Sequence, residues 1–442
     1  MSLMKVIALT SSKCRMSEYL PEVGQKFVKR GSDPRPVINS GDGRKSISPD
    51  WIFRLAERIN GYERPIALNC EPADLALILD TPGGMTVAKI CLLSSYRNSN
   101  HYLKLEKSVS QRIWHEKANG ANLAKTHTIA QIAEIVEQYP DLIQRDDAAI
   151  VPIGDLLYFA LTGVRCHCSD LLQRAGLLKQ SDPAFMDRLL NIDELHKKVA
   201  PWKHSRMTDA YCDSENEWIV PPIYGPSAAR DVGFDSAPCV VYTGRGCGVA
   251  HQLCCSVIRP SETTYSAGFT FEGNALQKLS VACGEVYKRL LAIWEISYEE
   301  AGRIGGKVNK ACLPVLDVQG LNRHQGTDSL PLINKALQES HCSEDPLHVI
   351  AAVVNTAVEA VWADLQVVTR LIGKPLRKVA VVGPWAENEL FLRWLEDKGI
   401  EIAIPRLAVD AKLAGVVAHA KQAILAQQTE CPPTFGEVLT TI

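Results

Sequence analysis

The chain has 442 residues, which is too long for one hydrophobic core and suits two domains of roughly 200 residues each. With 46% hydrophobic and 22% charged residues, it can bury both cores without further support. The formal net charge of -2 gives no electrostatic footprint for nucleic acid or an anionic membrane, so neither partner is expected.

The N-terminus and the hydropathy pattern indicate a cytoplasmic protein. We find no apolar run near the roughly 20 residues that a membrane span needs, and no signal-peptide pattern at the start. Residues 1–3, Met-Ser-Leu, precede a second Met and are typical of an expression-vector remnant, so Met4 is taken as the natural start.

The 14 cysteines are spread along the chain and include no Cys-x-x-Cys pair. In a large cytosolic chain this distribution favours reduced, mostly buried thiols. Two Cys/His clusters occur, at 166–168 and at 247–255, and a zinc site is the alternative for each. Neither cluster has the paired spacing of structural zinc sites, so packing is favoured and no metal ligand is predicted.

Capping residues and periodicity predict alternating strands and helices in the first half of the chain. The predicted strands cover 5–9, 66–69 and 75–79, and the predicted helices cover 51–59, 128–139 and 153–162. Between the strands, 81–84 is predicted as a hairpin turn. Residues 92–120 carry no pattern that predicts an element.

The second half shows a clearer pattern. A long helix is predicted over 347–372, because apolar residues recur at helical spacing and Gly373 follows as a left-handed cap. The other predicted elements are helices over 275–295, 387–398 and 409–426 and strands over 379–382 and 400–404. This alternation predicts a sheet covered by helices.

The stretch from 239 to 274 organises the second half. Residues 240–242 favour a buried strand, and the glycines at 244, 246 and 248 permit a tight turn against a ligand. A helix is predicted after this turn, with His251 one turn beyond Cys247 on the same face. A further strand over 264–268 ends in small residues, which expose backbone N–H groups to a phosphate.

These motifs resemble those of the FGGY family of carbohydrate kinases. Gly244-Arg245-Gly246-Cys247 is similar to the family's G-x-G-D, which places Cys247 at the position of the catalytic base Asp. Residues 264–268 are similar to T-Y-G-T-G, which implies that Ser266, Ala267 and Gly268 lie at the terminal phosphate, with Ala267 in place of Thr.

The resemblance extends to two further phosphate and nucleotide segments. Residues 7–15 are similar to I-D-x-G-T-T-x-x-R, with Ala8 at the magnesium-binding Asp and the hydroxyls of Ser11 and Ser12 retained. Residues 382–388 are similar to V-x-G-G-G-A-x-N, which lies against adenosine. The nucleotide positions implied here are Gly383, Pro384 and Asn388. Trp385 replaces a glycine and is expected either to stack on a base or to cover a domain seam.

The resemblance implies an α/β fold of two actin/ribonuclease H-like domains, each a mixed sheet flanked by helices, with a cleft between them. The first domain, 4–235, would hold the sugar side and the first phosphate loop, and the second, 236–442, the nucleotide. Residues 155–163 resemble the family's D-Y-L-x-x-x-L-T-G helix. Asp155 and Asp170 are expected to be caps or surface residues.

Three functions stay open from the sequence. The resemblance implies ATP- and Mg²⁺-dependent phosphoryl transfer to a sugar or polyol hydroxyl, with carboxylates such as Asp231, Asp235 or Glu272 recruited to the site. The replaced motif residues favour a non-catalytic descendant that binds a sugar or a nucleotide. The third is an enzyme of another class with Cys247 as nucleophile. The C-terminal helices could support a homodimer.

Overall fold

The computed structural model describes most of the chain. The described residues are 4–9, 13–20, 26–34, 37–39, 45–71, 74–81, 84–91, 128–175, 177, 184–205, 210–212, 218–244, 247–253, 266–270, 273–281, 283–303, 308–317, 330–429 and 434–440.

The described residues form runs of strands and runs of helices. The strands are β1 (Met4–Leu9), β2 (Lys13–Leu20), β3 (Lys26–Pro34), β4 (Val37–Asn39), β5 (Lys45–Ile47), β6 (Ile66–Cys70), β7 (Leu75–Thr81), β8 (Gly84–Cys91), β9 (Ala148–Pro152), β10 (Cys166–Cys168), β11 (Lys203–Ser205), β12 (Tyr211–Cys212), β13 (Trp218–Ile223), β14 (Cys239–Thr243), β15 (Cys247–Leu253), β16 (Ser266–Thr270), β17 (Gly273–Val281), β18 (Lys378–Val382) and β19 (Glu401–Ala403). The helices are α1 (Trp51–Asn60), α2 (Thr128–Gln138), α3 (Pro140–Gln144), α4 (Ile153–Thr162), α5 (Ser169–Ala175), α6 (Phe185–Leu190), α7 (Leu195–Lys198), α8 (Gly225–Phe234), α9 (Cys283–Ile293), α10 (Tyr298–Arg303), α11 (Leu330–Glu339), α12 (Pro346–Ile372), α13 (Glu389–Glu396), α14 (Ala411–Gln428) and α15 (Phe435–Thr440).

The chain divides into two compact units. The first comprises the described parts of Met1–Ala228, Val257–Glu272 and Gly415–Ile442, and the second those of Ala229–Ser256 and Gly273–Ala414. Most of α14 therefore belongs to the first unit. Gly415 makes this packing close, since a Cβ there would lie 2.2 Å from the carbonyl oxygen of Ala228. The boundary expected near residue 235 stays a prediction.

The first unit contains a mixed six-stranded sheet in the order β12-β13-β6-β1-β2-β3. Strands β1, β2 and β3 form an antiparallel meander, whereas β6 and β13 run parallel to β1 and to each other. A second, antiparallel sheet has the order β4-β5-β8-β7-β9. Helices α1 and α4 pack against each other in the hydrophobic cluster that these sheets share.

The second unit repeats this topology. Strands β14, β15 and β17 form an antiparallel meander, and β18 and β19 continue the sheet in parallel from β14. The full order is β16-β17-β15-β14-β18-β19. From β17 to β19 it corresponds, strand for strand and direction for direction, to β3-β2-β1-β6-β13 of the first unit. A mixed sheet flanked by helices in each unit is the α/β arrangement that the sequence predicted.

Helix α12 forms the core layer of the second unit and packs against β15, β17 and α9. Asp345 caps its start by accepting hydrogen bonds from the N–H groups of Leu347 and His348, and Gly373 ends it with φ 68°. By length and composition alone, it is the one helix among the described residues that could cross a membrane. Most of it is buried within the protein. The expectation that no apolar run approaches this length is therefore wrong.

One predicted helix is a strand in the structure, and another is a strand in its first part. Residues 247–253 form β15, because the short glycine-rich turn returns the chain antiparallel to β14, with Thr243 opposite Cys247. A helix is predicted over 275–295, but residues 275–281 belong to β17, which pairs with β15. Only Cys283–Ile293 is helical. In both segments, pairing with a neighbouring strand overrides a local pattern that is compatible with a helix.

Asp155 and Asp170 are both fully buried, so the expected surface location is wrong. Asp155 accepts hydrogen bonds from the His167 imidazole Nδ1 at 2.7 Å and from the N–H of Cys168 at 3.2 Å. Asp170 accepts hydrogen bonds from the N–H of Tyr224 and the hydroxyl of Ser227, which fixes the start of α8. Both carboxylates join elements inside the first unit.

We predict that Asp345→Ala lowers the free energy of unfolding of the second unit by about 1 kcal/mol, because the start of α12 loses its cap. Burial opposes ionisation of Asp345, but hydrogen bonds from His348 and Ser343 lower its pKa overall. A lowered pKa contributes stability above the unfolded-state value, near pH 4, and loses it as the pH falls further.

Urea denaturation of the wild type and the variant at several pH values checks this. The difference between them should be constant at neutral pH and shrink below about pH 4. A difference that persists unchanged in acid contradicts the role assigned to the carboxylate. Glu344→Ala, a neighbouring acidic substitution, is the matched control.

Candidate functional site

The ends of β14 and β18 meet inside the second unit. The hydroxyl of Thr243 donates a hydrogen bond to the carbonyl oxygen of Val382 at 2.9 Å and accepts one from the N–H of Trp385 at 3.1 Å. Thr243 is buried, so these bonds form away from bulk water. One side chain therefore fastens the end of β14 to the turn that follows β18.

Gly383 allows this close contact. Its φ is 97°, and an added Cβ would lie 2.1 Å from the carbonyl oxygen of Thr243 and 2.6 Å from its hydroxyl oxygen. No other residue type fits these limits without displacing the strand. The packing of β14 on the turn thus accounts for the glycine, which the sequence assigned to nucleotide binding.

Trp385 lies in the 3₁₀ turn Pro384–Glu387 and has no exposed surface. Its ring centroid lies 4.9 Å from that of Tyr287 and 5.2 Å from that of Phe391, both in the second unit. The expected stacking on a base is wrong, because the ring has no open face, while the expected cover of a domain seam stays a prediction. Trp385 is a core residue of the second unit.

Asn388 uses its side-chain amide for structure. Its oxygen accepts a hydrogen bond from the N–H of Phe391 at 2.9 Å and so caps α13, and its nitrogen donates one to the Tyr287 hydroxyl at 2.7 Å. The residue is buried. Burial raises the pKa of Tyr287, and the neighbouring Tyr298 adds to the rise, so the phenol stays protonated at neutral pH.

Tyr298 completes an aromatic cluster with Tyr287, Trp385 and Phe391, and its ring centroid lies 5.3 Å from that of Tyr287. It is the most exposed of the four, at 39%. Burial raises the pKa of its phenol. Sequence reasoning missed this cluster because its members lie on α9, α10, the 3₁₀ turn and α13, so no single periodicity contains them.

Cys247 begins β15 and is fully buried. Burial raises the pKa of its thiol to about 12, and it lies close enough to Cys283 to contribute to the raised pKa of that thiol. His251 lies four residues further along the same strand, which corresponds to roughly 13 Å in extended backbone. The expected placement of His251 one helical turn away is therefore wrong.

The other motif positions are less fully described. Ser11, Ser12 and Glu272 lie outside the described residues. Ser266, Ala267 and Gly268 belong to β16, as the strand predicted over 264–268 suggested, and β16 is the edge strand next to β17. Ala8 lies in β1, where it pairs with Asn69 of β6. The phosphate roles of these positions remain predictions.

The carboxylates proposed as recruited catalytic groups differ in their surroundings. Asp231 is buried, and its Oδ1 lies 3.4 Å from a guanidinium nitrogen of Arg230. Asp235 is exposed at the end of α8. Of these two carboxylates, only that of Asp231 is seen beside a cation.

No group of three or more His, Cys, Asp and Glu side chains within the described residues is arranged to hold a metal ion. In the 166–168 cluster, the imidazole of His167 is hydrogen-bonded to Asp155 and stacked on Trp202 at 5.0 Å. Cys254 and Cys255, which belong to the other cluster, lie outside the described residues.

The nucleotide segment does not fit the adenosine role that the resemblance implies. Thr243 occupies the space beside the Cα of Gly383, and the ring of Trp385 is enclosed. The side-chain oxygen and nitrogen of Asn388 are hydrogen-bonded to Phe391 and Tyr287. In the family's motif, consecutive glycines leave backbone open to adenosine. Here the corresponding residues are used to pack α13 and the end of β18.

No protein-family model and no curated protein matches the sequence. Solved structures do match the fold over almost the whole chain. A glycerol kinase from Plasmodium falciparum, crystallised with ADP, aligns with a TM-score of 0.73 at 14% identity, covering 99% of this chain and 92% of its own. A xylulose kinase from Rhodospirillum rubrum gives 0.72 at 12% identity, with coverage of 99% and 92%.

A gluconate kinase from Lactobacillus acidophilus aligns with a TM-score of 0.70 at 14% identity, covering 100% of this chain and 92% of its own. These identities are low, so the likeness establishes the fold. The protein has the two-domain fold of the sugar kinases, which is an actin-like ATPase fold, as the sequence predicted.

We predict that Trp385→Ala destabilises the second unit by about 3–5 kcal/mol, because it leaves a cavity among Tyr287, Phe391 and Tyr298. Denaturant titration measures this loss. Tyr298→Ala, which removes the most exposed ring of the same cluster, should cost clearly less. A Trp385→Ala loss under about 1 kcal/mol would show that the ring is not part of the core.

We also predict that Cys247 resists alkylation in the native protein. Its thiol is buried and protonated, so the reactive thiolate is scarce and shielded. Iodoacetamide labelling followed by peptide mass spectrometry should modify the exposed Cys312 more than about 100-fold faster than Cys247. If both residues are labelled at comparable rates, the thiol of Cys247 is accessible, and the hypothesis that it acts as a nucleophile is supported.

Proposed function

We propose that the protein is a non-catalytic member of the sugar-kinase fold that binds a sugar or polyol. The observation that carries the proposal is the enclosed ring of Trp385. This residue replaces a glycine in 382–388, the segment that resembles the family's nucleotide-binding motif. This ring lies among side chains of the second unit and not beside open backbone.

The base position supports the same conclusion. Phosphoryl transfer to a hydroxyl needs a group that accepts the acceptor's proton, and the family uses an Asp for this step. Cys247, at that position, has a pKa of about 12 and is fully buried, so at neutral pH it carries a proton and cannot accept one. Loss of a general base costs about 10²–10⁴-fold in rate.

The magnesium position is a further departure. In the resembling motif an Asp near the end of the first strand positions the metal, whereas here Ala8 supplies no ligand. Divalent cations in phosphoryl transfer are held through oxygen ligands, and a methyl group provides none. ATP and Mg²⁺ are therefore the cofactors of an active relative and not part of this proposal.

The ligand class rests on the fold. The matching solved structures are named glycerol, xylulose and gluconate kinases, so a small polyhydroxylated molecule is the ligand that we propose for this chain. Residues 92–120, where the sequence gives no motif, lie outside the described residues. We further propose that the protein is cytoplasmic and forms a homodimer. Sugar binding by this chain does not depend on either property.

An active kinase is the second candidate. It is favoured by alignment over 99% of this chain with a glycerol kinase that holds ADP. In that case Asp231, which lies beside Arg230 in the second unit, is the recruited carboxylate to test. The Cys247 enzyme is not proposed, because its thiol is buried and protonated.

A panel of sugars and polyols tests the proposal in two assays with the full chain. Thermal-shift measurements should reveal at least one compound that raises the melting temperature, because a ligand that binds the folded state stabilises it. A coupled assay for ADP release, with Mg·ATP and the same panel, should show no rate above that without sugar.

Sugar-dependent ADP release would overturn the proposal in favour of the active kinase. Asp231→Asn is then the decisive variant, with Asp235→Asn, an exposed neighbour, as its matched control. If no compound in a broad panel shifts the melting temperature or binds by calorimetry, the sugar-binding part is wrong even though the fold assignment stands.

A further inference from the structure

Two cysteines that are 30 residues apart meet in the second unit. Cys312 ends the 3₁₀ turn Lys310–Cys312 and is exposed, while Cys342 lies half-buried between α11 and α12. The sulfur of Cys342 contacts the carbonyl oxygen of Cys312 at 2.5 Å. We propose that Cys312 and Cys342 form a reversible disulfide, so that this pair is a redox modification site.

The turn that carries Cys312 is held by its own hydrogen bonds. The side chain of Asn309 accepts a hydrogen bond from the N–H of Ala311 at 3.1 Å and donates one to the sulfur of Cys312 at 3.4 Å. The N–H of Leu313 donates to the carbonyl oxygen of Lys310. Cys312 therefore has a defined position at the surface.

The position of Cys342 is fixed by the end of α11. Its N–H donates to the carbonyl oxygen of Leu337 at 2.9 Å, and His341 before it adopts a left-handed conformation with φ 55°. Three residues later Asp345 caps α12. The cysteine thus lies in a short junction between two helices and cannot move far from Cys312 while both helices persist.

The contact sets an upper limit on the distance between the two residues. Standard bond lengths and the sulfur–oxygen contact limit the separation of the two Cα atoms to about 8 Å. A disulfide spans about 4.4–6.8 Å between Cα atoms, so side-chain rotation with a small shift of the exposed turn closes the remaining gap. Burial raises the pKa of Cys342, and the nearby Cys312 raises it further.

The chemistry balances with a low-molecular-weight disulfide such as glutathione disulfide as the oxidant. The exposed Cys312 thiolate attacks one sulfur of the oxidant, forms a mixed disulfide and releases one thiol. Cys342 then loses its proton to water and attacks the Cys312 sulfur, which releases the second thiol. Two protein thiols are oxidised to one disulfide, and one oxidant disulfide is reduced to two thiols.

The bond would tie the segment 308–317 to the start of α12. That segment already contacts the helix, since the N–H of Leu316 donates to the Thr356 hydroxyl at 2.9 Å and the Asn355 side chain donates to the carbonyl oxygen of Pro314 at 3.4 Å. A cross-link that preserves these contacts constrains the unfolded chain more than the folded one. Oxidation should therefore raise the melting temperature of the second unit.

The experiment equilibrates the full chain in buffers of graded reduced and oxidised glutathione, quenches with acid, alkylates the free thiols and maps peptides by mass spectrometry. We expect a peptide that joins Cys312 to Cys342, has lost two hydrogens, increases with oxidised glutathione and disappears in dithiothreitol. The buried Cys239 and Cys247 should remain reduced throughout and serve as internal controls.

Cys312→Ser and Cys342→Ser are the matched variants. Cys342→Ser should accumulate a mixed disulfide at Cys312, and neither variant should show the rise in melting temperature that oxidation gives the wild type. The proposal is overturned if the wild type forms only mixed disulfides at these cysteines, or if both remain free at every glutathione ratio.

Discussion

The contact between Thr243 and Gly383 is the constraint on which the second unit depends. It joins the last residue of β14 to the turn after β18, two parallel strands that lie far apart in the sequence. Because Gly383 lacks a Cβ, the chain can turn there and direct Trp385 inward, where it packs on Tyr287 and Phe391. Asn388 then starts α13 and binds Tyr287. The glycine, tryptophan and asparagine form one packing arrangement.

The fold and the residues that phosphoryl transfer needs are two separate requirements on the sequence. The strand order and directions recur in the two units, and solved sugar kinases match the whole chain. Such a sheet requires buried strands and covering helices, which many sequences supply, whereas phosphoryl transfer requires particular carboxylates and open backbone. Cys247 and Trp385 are both fully buried and serve the packing of the second unit.

Much of the fold was predictable from local pattern. Helix α12 has regular apolar spacing, an Asp cap and a terminal glycine, and its observed bounds differ from the predicted ones by one residue at the start. Residues 247–253 were mispredicted because a strand there depends on pairing with β14 and β17, which lie outside any short window. The resemblance predicts which residues stand at the motif positions, and it does not predict that Cys247, Trp385 and Asn388 are buried. The aromatic cluster depends on contacts among four separate elements, and no spacing in the sequence reveals them.

The central claim is that residues 382–388, which resemble a nucleotide-binding motif, are part of the packed core of the second unit. Calorimetric titration of the full chain with Mg·ATP and with ADP tests it most directly. The account predicts no measurable heat of binding to the wild type beyond dilution. Saturable binding of either nucleotide, weakened by Trp385→Phe in a variant that remains folded, would contradict it, because a nucleotide would then be using the residues that the packing encloses.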